Sequence, residues 1–182
     1  NMNDQNVFPM DTAFKRRFEW EYVSTEPAAD SSGRRIKELN NPKLFVALDS
    51  TNTIETTWQS FYMALNWFIT DKNSGLGKKE DKQIGQFFLS FGDTLIADSH
   101  SEDRDTADKA REKIDRLIRN KLLIYLWQDV QGVNSLRSGA SLFDDSISSY
   151  DELYKKYGND KVFSDAFING FQNGRSDQYP YK

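Results

Sequence analysis

Residues 58–69, WQSFYMALNWFI, decide how the chain is read. Trp58, Phe61, Tyr62, Leu65, Phe68 and Ile69 fall at offsets 0, 3, 4, 7, 10 and 11, which is one face of a 3.6-residue helix. Met63 and Trp67 lie nearly opposite that face, so this helix is expected to meet neighbours on two sides. Downstream, residues 72–82 (KNSGLGKKEDK) read as a polar loop with glycines. Residues 83–91 (QIGQFFLSF), apolar but interrupted by Gly85, are placed as a short helix. Upstream, residues 26–35 (EPAADSSGRR) have loop composition, and Asn40, Asn41 and Pro42 punctuate the chain before a short apolar run at 44–48.

Further along, the acidic stretch 98–108 leads into a long helix expected from about residue 106 to 129. Ile114, Leu117 and Ile118 form its inner stripe, and Asp115, Arg116, Arg119 and Asn120 are expected in water. Residues 122–127 are apolar all round and should be buried on every side. Residues 132–139 end this helix. Ser149 with Glu152 three residues later signals a capping box for a helix to Tyr157, closed by Gly158. Asp160 can cap a last helix carrying Val162, Phe163, Ala166, Phe167 and Phe171, after which residues 172–182 have turn residues and no stripe. No internal repeat is visible.

The amino end has a different texture. In residues 18–23 the aromatics Phe18, Trp20 and Tyr22 alternate with Glu19 and Glu21, the period-two pattern of a half-buried strand. Residues 9–17 read as a short helix whose carboxyl end carries Lys15, Arg16 and Arg17, where cations suit the helix dipole. A helix running into a strand is therefore expected ahead of the helical body.

Composition excludes several chemistries. The chain has no cysteine, so disulfides, thiolate zinc sites and cysteine nucleophiles are out. His100 is the single histidine, which removes imidazole triads and multi-histidine metal centres. Against 24 Lys and Arg stand 28 Asp and Glu, and the net charge of −4 gives no global pull toward phosphate backbones. The 13 Phe, 8 Tyr and 4 Trp supply the large buried areas that a disordered chain lacks, so the protein should fold. The longest apolar run, residues 122–127, falls far short of the roughly 20 residues needed to span a bilayer. With no signal-peptide pattern at residues 1–4, a cytoplasmic protein is expected.

The strongest functional pattern is NMNDQNVFPMDTAFKRRFEW, residues 1–20. An asparagine is followed ten residues on by Asp11, and four residues later by the basic triplet Lys15, Arg16, Arg17 and then Phe18. This stretch resembles the second half of the nucleotide-hydrolysing core of AAA+ proteins, most closely the McrB-like branch, motor subunits of methylcytosine-dependent restriction systems. The resemblance implies that Asn1 is the sensor asparagine beside the nucleotide and that Arg16 or Arg17 is a finger reaching into the neighbouring subunit's site. Phosphoryl transfer builds charge on the terminal phosphate oxygens, which a guanidinium fork matches and beside which an amide positions the attacking water. Two basic residues that only complement a helix dipole are the alternative reading.

The resemblance continues more weakly over the next 150 or so residues. McrB-like proteins carry a helical lid with an Ile-Gly-His-Ser-Tyr-Phe-like motif, to which Ile84, Gly85, Gln86, Phe87, Phe88 is similar. Gln86 replaces the usual histidine and Phe87 the usual serine. Ile84, Gly85 and Gln86 are thereby candidate cofactor-binding residues, with Lys78, Lys79 and Lys82 as candidate phosphate or interface contacts or simply a solvated basic loop. No G-x-x-x-x-G-K-[ST] loop occurs, and no apolar strand ends in an acidic pair for magnesium.

The expected architecture is therefore mainly α: the end of an AAA+ core at 1–25, a connecting loop region at 26–57, a helical lid at 58–171 and a flexible tail at 172–182. The resemblance implies a carboxyl-terminal piece of a longer polypeptide that binds ATP or GTP with magnesium, this piece being inactive and cofactor-free alone. It also implies ring neighbours, expected as a hexamer, with a nuclease subunit and DNA meeting regions outside these residues, and no membrane. A stand-alone helical interaction module is the alternative. A DNA-binding helical domain is a third reading, for which Arg111, Arg116 and Arg119 are candidates, although the interspersed Glu112 and Asp115 favour ordinary helix-surface pairs. Asp144, Asp145 and Glu152 read as solvated acids before a capped helix, and His100 as exposed.

Overall fold

The computed structural model describes residues 17, 19, 21, 23–131 and 140–172. Two short strands, β1 (Lys43–Ala47) and β2 (Thr53–Thr57), pair antiparallel with Lys43 opposite Thr57 and Val46 opposite Ile54. Asp49 closes the hairpin by accepting from the backbone N–H groups of Thr51 at 2.7 Å and Asn52 at 2.8 Å. These bonds, with the Asn52 side chain, hold the Asp49 carboxyl well below the usual carboxylate range. The hairpin lies inside the region expected to be a connecting loop. Its β2 strand is threonine-rich and mostly unburied, so it offers little hydrophobic pattern.

The first helix, α1 (Trp58–Thr70), begins directly after β2, and the Thr57 hydroxyl accepts from Ser60 N–H at its start. Both expected faces are covered: Met63, Ala64 and Asn66 are buried along with Trp58, Phe61, Leu65 and Phe68. Phe61 and Phe68 meet Phe167 edge-on at 6.2 and 5.5 Å, while Trp58 packs on Tyr62 and Phe91. A short turn of 3₁₀-helix follows at Glu80–Lys82.

Next come α2 (Asp93–Ser99) and α3 (Arg104–Leu117), the latter started by Asp103, whose carboxylate accepts from Thr106 N–H at 3.0 Å. The helix then widens to π-type turns over Ile118–Leu123 and Leu126–Gln131. Leu122, Leu123 and Leu126 are fully buried, whereas Tyr125 and Trp127 are only partly covered, so the apolar run is not enclosed on every side. Helix α4 (Tyr150–Lys156) has the expected cap, with Ser149 Oγ accepting from Glu152 N–H at 3.2 Å. The Glu152 carboxylate answers to Ser148 N–H at 3.0 Å. Gly158, at φ 88°, closes α4 in the left-handed region. Helix α5 (Asp165–Gln172) completes the aromatic core with Phe167 and Phe171.

Several expectations are corrected. Glu19, Glu21 and Val23 are exposed and belong to no strand, and Phe18, Trp20 and Tyr22 lie outside the described residues. The expected helix at 9–17 lies outside them too, save Arg17, which is exposed in a turn; so do 132–139 and 173–182. The last helix begins at Asp165, with Ser164 Oγ rather than Asp160 accepting from Phe167 N–H, and Phe163 instead bridges to Phe143. Helix α2 falls mainly on residues 93–97, to which the sequence reading gave no element, because only Leu95 and Ile96 mark its inner face. Asp115 is buried rather than solvated. No helix among the described residues is long and apolar enough to cross a membrane.

Residues 83–91 do not form a helix, and the reason is chemical. Their backbone groups are captured by side chains. Asn66, in the middle of α1, donates to Ile84 O at 2.7 Å and accepts from Ile84 N–H at 2.8 Å. Asn40 donates to Gln86 O and Leu89 O at 2.9 and 2.8 Å and accepts from Phe91 N–H at 2.7 Å. The Trp58 indole also donates to Gln86 O, at 2.7 Å. A backbone already satisfied in this way has no need of an i→i−4 ladder.

Candidate functional site

The motif Ile84, Gly85, Gln86 sits at this joint. Ile84 and Gln86 are buried, 2% and 3% exposed, and both ends of the Gln86 amide are engaged. Its oxygen accepts from Ala28 N–H at 2.7 Å and its nitrogen donates to Leu39 O. The glutamine therefore ties the 24–42 loop to the segment that α1 holds through Asn66. Gln86, which stands where the resembled family usually has a histidine, is used inside the fold. Gly85 faces open space, with no atom within 4 Å of where a Cβ would stand, and Phe87 beside it is 58% exposed. Any contact this motif makes with a ligand falls to the Gly85–Phe87 edge.

Beside the joint lies a cleft of about 600 Å³ whose rim carries Arg35, Lys37, Glu38 and His100 and whose floor holds Asn41 and Gln59. The floor is prearranged: Asn41 accepts from Gln59 N–H at 2.7 Å and donates to Lys37 O at 2.7 Å, and Gln59 donates to Ile36 O at 2.9 Å. The buried amides, the cations Arg35 and Lys37 and the Thr57 and Ser60 hydroxyls give the cleft groups that can hydrogen-bond a polar molecule. Among the described residues no group of three or more His, Asp or Glu could hold a metal ion. Of the acids read as solvated, Asp145 is exposed, whereas Asp144 and Glu152 are only partly so and each meets a lysine: Lys156 stands 3.3 Å from Glu152, and Lys161 reaches Asp144 at 2.9 Å and brings its pKa down to about 2.

A second groove, of about 550 Å³, runs between α3 and the turn after α4. Asp115 lies in its wall with Arg111 Nε 3.9 Å from its carboxylate and Gly158 packed so close that a Cβ there would stand 3.1 Å from Asp115 Oδ2. Arg111 lies over the Phe45 ring at 4.5 Å and Arg119 over the Tyr154 ring at 5.5 Å. Sequence reasoning placed these arginines in water because the i, i+4 pattern alone cannot show that Tyr157 and Gly158 cover this side of the helix.

Burial raises the Asp115 pKa to about 6, against the opposing pull of Arg111 and Arg119. Between about pH 4 and 6 the folded chain keeps a proton that the unfolded chain releases, so stability falls as pH rises through that window and stays lower above it. Asp115→Asn should remove this fall. Its stability relative to wild type should rise by about 2 to 3 kcal/mol between about pH 3 and pH 8, read by urea unfolding at both. An unchanged difference between the two pH values would show that Asp115 ionises without penalty.

Of the sequence-predicted site residues, Ile84, Gly85 and Gln86 are brought together as one structural joint, Arg17 is exposed, and Asn1 and Arg16 lie outside the described residues. Lys78 and Lys79 line an open surface hollow with Lys72, Glu80 and Asp81, a mixed-charge loop.

Over 165 residues, 90% of its length, the chain is 28% identical to the Type II restriction enzyme BsuMI component YdiS of Bacillus subtilis (strain 168). It spans 38% of that protein's length. No protein-family model matches the chain. No solved structure matches it.

Proposed function

We infer that this chain serves a restriction system, as the lid portion of a McrB-like AAA+ nucleoside triphosphatase preceded by the end of its core. The observation that carries the reading is the similarity, over 90% of the chain, to a protein named as a restriction enzyme component. That likeness agrees with the association suggested independently by Asn1, Asp11 and the Lys15-Arg16-Arg17 triplet. The mainly helical body suits a lid. Its joint suits one as well, because Gln86, Asn40 and Asn66 fasten the 24–42 loop to α1 through buried hydrogen bonds, so that a displacement of the loop is passed to the helices as a unit. ATP or GTP with magnesium would be held by parts of the protein outside this chain, and ring neighbours would complete each site.

A polypeptide extended upstream to include a phosphate-cradling loop is expected to hydrolyse ATP or GTP with magnesium. Deletion of residues 58–172 should abolish that turnover, and the 182-residue chain alone should show none. Failure of the extended polypeptide to bind either nucleotide, measured with fluorescent analogues, would reject the reading.

A further inference from the structure

The carboxyl half of α3 and the π-turn after it carry a surface that the nucleotide reading does not use. Three cations of α3 are paired with acids one turn away: Arg104 with Asp108, Lys109 with Asp105, and Arg111 with Asp115. Beyond them the pattern changes. Lys113 and Arg116 are exposed and form no ion pair among the described residues. Leu117 and Asn120 lie exposed between them and Lys121.

In a regular helix Lys121 would sit close to the buried Ile114 edge. The wider turns of Ile118–Leu123 hold more residues per turn and rotate it back toward Lys113 and Leu117, where it is exposed, with its ammonium over the Phe88 ring at 5.2 Å. Arg119 flanks the stripe, its guanidinium held by the Tyr154 ring and by a 3.4 Å bond to Asp115 O. Three carboxylates come near, Asp108, Glu112 and Asp115, and Asp108 is paired with Arg104. Glu112 borders the stripe, and Asp115 lies beneath it, buried and facing Arg111.

We propose that Lys113, Arg116, Arg119 and Lys121 form a docking stripe for the phosphate backbone of duplex DNA. Their spacing along one helix face lets successive cations meet successive phosphates, and Asn120 adds a neutral donor to the same row. The chain's net charge is −4, so the attraction is local to this face and would position DNA without reading its sequence. The choice of DNA among polyanions rests on the restriction-system reading.

The test is binding of the 182-residue chain to a fluorescent duplex at several salt concentrations. Three to four phosphate contacts give a log–log slope of about −3, a loss of about 60-fold in affinity between 50 and 200 mM salt. Lys113→Gln with Arg116→Gln should make the slope shallower by about 2. Lys109→Gln, whose ammonium is already neutralised by Asp105, should leave the slope unchanged. All of these side chains are exposed, so the variants keep the fold. No DNA binding at 50 mM salt, or a slope that the double variant does not alter, overturns the proposal. So does a double variant that changes only self-association, which would make the stripe a contact between copies of the chain. Nucleotide hydrolysis by the extended polypeptide without DNA is a separate measurement, so failure here leaves the motor reading to its own test.

Discussion

Asn40→Ala is expected to destabilise the chain by about 3 to 5 kcal/mol, measured by urea unfolding. Asn40 is 4% exposed and its amide serves three backbone groups on the 83–91 segment. Gln86 O keeps a partner in the Trp58 indole, but Leu89 O and Phe91 N–H lose theirs, and each buried group left alone costs about 1 to 3 kcal/mol. The backbone adds to this. Asn40 sits at φ 47°, a conformation that asparagine tolerates and alanine does not, at a further cost of about 1 to 2 kcal/mol. Asn40→Gly relieves the second effect alone and should lie between alanine and wild type. Asn40→Gly is therefore also the variant to measure should alanine prevent folding. A loss below about 1 kcal/mol for alanine would show that the segment finds other partners and that Asn40 does not hold it.

What the sequence revealed and what it hid follow from how far apart the interacting residues are. The faces of α1, the buried run beginning at Leu122 and the Ser149 cap are set by neighbours within a few residues, so periodicity and spacing expose them. Asn40 read as punctuation. Its partners lie 46 to 51 residues away, and no local rule points to them. The same capture overrode the helical look of residues 83–91, whose apolar residues Ile84, Leu89 and Phe91 are indeed buried, but on an irregular path. Asp115 stands one position past the buried Ile114, at the edge of the inner face, and its burial depends on the turn at Gly158. The Gln86 role was half legible: the departure from histidine was visible, the use of the amide to bind Ala28 and Leu39 was not.

If the proposed motor reading holds, Arg16→Ala or Arg17→Ala, placed in the polypeptide extended upstream, is expected to lower nucleotide turnover about 10³-fold or more with little change in nucleotide affinity. A finger acts on charge that develops in the transition state, so its loss appears in kcat rather than in ground-state binding. Lysine should not restore the rate at the finger position, since a single ammonium lacks the planar fork that spans two phosphate oxygens. Mixing protomers decides between a finger and a local structural role. A protomer bearing the arginine variant still has its own nucleotide site, and a protomer with a disabled phosphate loop still has its arginine. If the arginine works across the interface, mixed rings regain part of the turnover that each variant lacks alone, because some sites combine an intact loop with a neighbour's finger. If it plays only a local structural role, each inactive protomer stays inactive in any mixture, and unchanged turnover in both single variants would remove Arg16 and Arg17 from the reaction altogether.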